Sequence, residues 1–70
     1  MKVIAQRGKN QYLIAESVNS EMGKVLDIEQ GKVFPEEPIA SIVKGGYWEN
    51  ATMSKEELDK LLAGVKAEVR

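Results

Sequence analysis

The sequence predicts an α+β fold: a small antiparallel β-meander of about four to five strands, packed by one C-terminal amphipathic helix. Three observations carry that expectation. Short apolar runs of strand character fill the first half, polar segments containing glycine separate them, and a capped leucine–valine stripe occupies the last third.

The first strand spans about residues 2–6 and the second about 11–18. Between them lies Arg7-Gly8-Lys9-Asn10, a polar segment with the glycine that a hairpin turn favours. Asn19 to Gly23 is the next break, rich in residues that support turns. A third strand follows over 24–29. Gln30-Gly31 turns the chain into a fourth over 32–34, which Pro35 stops because it has no amide to donate. On these strands apolar residues appear on both faces, Tyr12 and Ile14 on one and Leu13 and Ala15 on the other. A sheet wetted on one side alternates more cleanly. Either the sheet curls towards a barrel or both of its sides are covered. One helix covers one side, so the other falls to curling, to the 39–48 segment or to a partner.

Residues 36–50 are ambiguous. Pro35-Glu36-Glu37-Pro38 before Ile39, Ile42 and Val43 suits a short helix ending at Gly45-Gly46. The β-branched run Ile39 to Val43 also suits a strand, and Tyr47-Trp48 could open a fifth one. The last element is clearer. Ser54-Lys55-Glu56-Glu57 is a capping box, with Met53 and Leu58 placed as a hydrophobic staple. Leu58, Leu61, Leu62, Val65 and Val69 then recur at helical spacing, so a helix is expected over 55–69, interrupted only by the weak helix former Gly64.

Seventy residues make one domain, 1–70, whose small core leaves little reserve of stability. There is no cysteine and no histidine, which removes disulfides, the commonest metal ligands and the commonest catalytic base and nucleophile. No apolar run is long enough for a secretory signal or a membrane span, and a cytoplasmic location is expected. A net charge of −1 gives no global field for binding nucleic acid.

Candidate chemistry is sparse. Ser41 and Lys44 have the spacing of a serine activated by lysine, but the pattern is short and arises readily by chance. Asp27 and Glu29 lack a third ligand for a cation; the simpler reading sets Glu29 across the hairpin from Lys32 and Asp27 on the wetter face. Pro35 to Pro38 fits a P-x-x-P pattern without a basic neighbour, and Asn50-Ala51-Thr52 is a glycosylation acceptor pattern that has meaning only after secretion. The expectation is therefore a non-enzymatic binding or regulatory domain, without metal or cofactor, that contacts another protein or a second copy of itself. Tyr12, Phe34, Tyr47 and Trp48 are its candidate contacts, with Arg7 and Lys9 on the rim. The alternative is a small-barrel binder of single-stranded nucleic acid, using Arg7, Lys9, Lys24 and Lys32 with Tyr12 as a stacking platform.

Overall fold

The computed structural model describes residues 1–51, 53–64 and 67–68. In chain order the elements are β1 (Lys2–Arg7), β2 (Gln11–Ala15), β3 (Met22–Asp27), β4 (Lys32–Val33), β5 (Glu37–Pro38), α1 (Ile39–Lys44), β6 (Glu49–Asn50), α2 (Lys55–Ala63) and β7 (Ala67–Glu68). The sheet runs β6-β1-β2-β3-β4-β7, and β5 pairs separately with the start of β3. The expected meander β1 to β4 is antiparallel throughout, whereas β7 joins β4 in parallel. β6 and β7 stand at opposite ends of the order, so the sheet is open and does not close into a barrel.

Both faces of the sheet are apolar because each carries a helix. On one face Val3, Ile14, Leu26 and Val33 are buried with Leu58 of α2, and Tyr12, Met53, Leu61 and Leu62 pack around them. On the other, Ala5 and Leu13 are buried with Ile42 of α1, against Ile4, Val25, Ile39 and Trp48. The 39–44 segment, whose composition suits helix or strand, is thus helical. Its Ile39 and Ile42 cover the side that α2 cannot reach. Gly23 makes this closeness possible: a Cβ there would lie 2.9 Å from the Ile14 carbonyl oxygen and 3.0 Å from Ile39 Cγ1.

A β-bulge in β1 decides which side chain reaches which face. Val3 pairs with Ile14 but Ala5 pairs with Leu13, leaving Ile4 as the extra residue. Val3 therefore faces α2, while Ala5 and, two positions on, Arg7 face α1.

Four expected boundaries are corrected. β2 ends at Ala15, not residue 18, because Ser17 and Ser20 close a tight turn: Ser20 N donates to Ser17 O at 3.2 Å and Ser17 N to Ser20 Oγ at 3.0 Å. β3 lies two residues earlier than 24–29. The Asp27 carboxylate accepts from Gln30 N at 3.0 Å and draws Ile28 and Glu29 into the turn, which Gly31 completes at φ 65. Tyr47 and Trp48 precede the edge strand β6 instead of forming one. The last helix ends at Ala63, not residue 69. The amide of Gly64 turns back to Leu61 O at 3.1 Å, and residues 67–68 are extended beside β4. Val65 and Val69, assigned to the helical stripe, lie outside the described residues. The start of α2 is as expected: Ser54 Oγ accepts from Glu57 N at 3.1 Å, and Met53 and Leu58 share the core.

Candidate recognition site

The polar side chains on the α1 face form one connected line across three strands. Arg7, Gln11 and Asp27 are cross-strand neighbours on β1, β2 and β3, with Lys32 beyond them on β4. Arg7 Nε donates to Gln11 Oε1 at 2.7 Å, and Gln11 Nε2 donates to Asp27 Oδ2 at 3.3 Å. From the turn, Gln30 Nε2 reaches the same Oδ2 at 3.0 Å while Gln30 N holds Oδ1. The line has a fixed polarity. An ionised carboxylate only accepts, so it faces the NH₂ end of Gln11, and the amide oxygen is left for Arg7.

Asp27 is the anchor. It is only 4% exposed, contrary to the wetter face expected for it, and Glu29 is not set against Lys32 but accepts from Asn10 Nδ2 at 3.0 Å. The Asp27 carboxyl is held below the ordinary value, first by the Gln30 backbone amide; burial opposes this, and the Gln11 and Gln30 side chains and the Glu29 amide reinforce it. Nothing in the composition marked Asp27 or Gln11 as important. The one available signal was an aspartate just ahead of Gln30-Gly31, a residue type that accepts from nearby backbone amides in turns.

At the other end of the line, the Arg7 guanidinium lies over the Trp48 ring, 4.6 Å from its centroid. The indole is itself fixed, since Trp48 Nε1 donates to Ile42 O at 3.1 Å and the ring packs on the α1-side core. Trp48 is thus half core and half surface. Tyr47 beside it is 88% exposed and held at φ 69, directly after Gly46 at φ 83.

Of the six candidate contact residues the structure brings Arg7 and Trp48 into contact, with the exposed Tyr47 next to Trp48 in the chain. Tyr12 lies on the opposite face, packed against the α2-side core, and its hydroxyl donates to Lys9 O at 3.4 Å. Lys9 is exposed at the hairpin tip, and Phe34 is half-buried just after β4, where its amide donates to Val25 O at 2.9 Å. The residues of the nucleic-acid reading are also divided: Arg7 and Lys32 share the α1 face, whereas Tyr12 and Lys24 share the face of Ile14. Ser41 and Lys44 are both exposed on α1.

Elsewhere, a groove of about 490 Å³ opens where β1 and α2 begin, walled by Val3, Ala51, Met53 and Leu58 with Lys2, Glu16 and Lys55 at its rim. Among the described residues no group of three or more acidic, histidine or cysteine side chains could hold a metal ion, and no helix is long and apolar enough to cross a membrane. Comparison with protein families, with curated proteins and with solved structures gives no match.

Proposed function

We propose that this chain is a non-enzymatic recognition domain that contacts another polypeptide through Tyr47, Trp48 and Arg7. The sequence suggested a partner because one helix leaves an apolar sheet face bare, but α1 covers that face from within, which leaves the surface beside it as the candidate contact. The observation that carries the reading is the state of Tyr47. A non-glycine residue at positive φ is strained by about 1–3 kcal/mol, and here the strain holds a large aromatic ring almost wholly in water. Folding gains nothing from that arrangement. A contact surface does, since an exposed aromatic ring next to Trp48, whose indole is fixed, is the kind of side chain that anchors binding.

The test is photo-crosslinking in cells with p-benzoylphenylalanine at position 47, and at Asp59 on the exposed side of α2 as control. Polypeptide adducts are expected at position 47 and not at position 59; a self-adduct would identify a second copy as the partner. Equal or absent labelling at the two positions refutes the reading.

A further inference from the structure

The recognition face has a chemical preference written into the way Arg7 is held. Among the described residues only its Nε has a hydrogen-bond partner, Gln11. Among the described residues neither terminal nitrogen has a hydrogen-bond acceptor, although the guanidinium is fixed from two sides by Gln11 and by the Trp48 ring. A guanidinium on an aromatic face loses water from that face, while its in-plane N–H donors remain available to a planar acceptor. Nη1 lies 3.6 Å from where a Cβ on Gly45 would stand, so glycine at position 45 leaves the fork uncovered.

The obvious internal use for this cation would be to neutralise the carbonyl end of α1. Two of those carbonyls are already served: Ile42 O accepts from Gly45 N and Trp48 Nε1, and Val43 O accepts from Gly46 N. The segment from Pro38 to Trp48, which supplies α1 and the ring under Arg7, carries Lys44 and no acid, with Glu37 and Glu49 at its two ends. Asp27, the acid in line with Arg7 and Gln11, is buried and accepts from Gln11 and Gln30.

We propose that this face is a carboxylate receptor: the clamped Arg7 fork takes the side chain of an aspartate or glutamate in an acidic peptide segment, with Tyr47 against the apolar part of that segment. The proposal rests on the recognition reading above and specifies its partner. A fork held open in advance suits carboxylate, which it meets with two parallel hydrogen bonds. A phosphate would fit the same donors, and phosphopeptides are accordingly one arm of the test.

The experiment selects linear peptides from a phage-displayed library on the 70-residue chain, then measures the recovered peptides, their Asp→Asn and Glu→Gln versions, and their phosphoserine replacements. Enrichment of Asp and Glu is expected, with roughly tenfold weaker binding when the acid is neutralised or when Arg7→Gln is used, about 1.4 kcal/mol. Gly45→Leu covers the fork without touching Arg7, at a position whose φ of −66 any residue adopts, and is expected to weaken binding similarly. Lys60→Gln, on α2 against the opposite face of the sheet, should change affinity by less than about twofold. In the unsubstituted protein, adding the peptide should shift the Arg7 Nε–H resonance, a readout that needs no variant to fold. Recovery of no peptide, recovery without acids, tighter binding of the phosphoserine forms, or an unmoved Arg7 resonance overturns the proposal. If crosslinking at position 47 still captures a polypeptide in any of those cases, the recognition reading stands without the carboxylate receptor; if crosslinking also fails, both fall.

Discussion

Replacing Asp27 by asparagine tests the polar line at its anchor. The carboxylate accepts three hydrogen bonds, two at 3.0 Å from Gln30 and one at 3.3 Å from Gln11. Hydrogen bonds to a charged group contribute about 1.5–3 kcal/mol each. Asparagine keeps one oxygen for the Gln30 amide and offers an NH₂ group to two side chains that are themselves donating. The expected loss is therefore at least about 3 kcal/mol for the two bonds, a large share of the roughly 4–10 kcal/mol typical of a chain this size. The disturbance should also travel. If the Gln11 amide rotates to accept from the introduced NH₂ group, its own NH₂ turns towards Arg7 Nε and that bond is lost. pH supplies the discriminating measurement. The Asp27 carboxyl is lowered from 3.8, so the unfolded chain binds the extra proton between the two values, and stability rises with pH across that interval. The contribution is full above 3.8 and fades as pH falls through the lowered folded value. Urea unfolding followed by Trp48 emission should show a wide gap between the unsubstituted protein and Asp27→Asn at about pH 6, narrowing as pH is lowered below 3.8. A gap below about 0.5 kcal/mol at pH 6, or one that does not change with pH, refutes the anchoring role. Persistence of the Arg7 Nε–H resonance unshifted in Asp27→Asn refutes the relay.

Gly23→Ala forces a methyl against the Ile14 carbonyl and the side chains of Leu13 and Ile39, and should cost about 1–3 kcal/mol. By thermal melting that is a fall of about 4–8 °C per kcal/mol, and no fall would mean that α1 does not approach the sheet so closely. Tyr47→Gly should leave stability equal or up to about 1 kcal/mol higher, because it relieves the positive φ and removes a ring that the core does not use. A clear loss in the same denaturation assay would show that the ring belongs to the fold. Ser54→Ala removes the oxygen that accepts from Glu57 N and should cost about 1 kcal/mol; an unchanged unfolding midpoint would show that α2 does not depend on its cap.

What could be read from the residues was local. Gly8 and Gly31 mark hairpins because each takes a positive φ that most side chains resist, and Ser54 marks the start of α2 because its hydroxyl serves an amide in the first turn. The need for a second cover over the sheet was also legible in consecutive apolar residues such as Leu13 and Ile14, which lie on opposite faces. Element ends were less so. Val18 looks like a strand residue, but the hydroxyls of Ser17 and Ser20 compete for the amides that a ladder would use, and Val18 is left exposed. The helical stripe likewise reads on past Gly64, while residues 67–68 instead find a strand edge at β4.

The recognition face lay further out of reach, because its composition depends on one pairing irregularity. With strict alternation from Val3, side chains at positions 5 and 7 would face α2, and Arg7 would project on the side of Leu58. The additional residue at Ile4 reverses the rest of β1. Ala5 then meets Leu13, Gln6 meets Tyr12, and Arg7 meets Gln11 within reach of Trp48. No glycine or proline within β1 signals the bulge; both registers bury apolar side chains, since Val3, Ile4 and Ala5 suit either face. What separates the registers is tertiary. The observed one sets Arg7 against an amide whose orientation Asp27 dictates and an indole that the end of α1 fixes, neither of which is near it in sequence. The cation's environment is thus a property of three strands and a helix together, which is why Arg7 and Trp48 could be singled out from sequence as separate candidates but not as a pair.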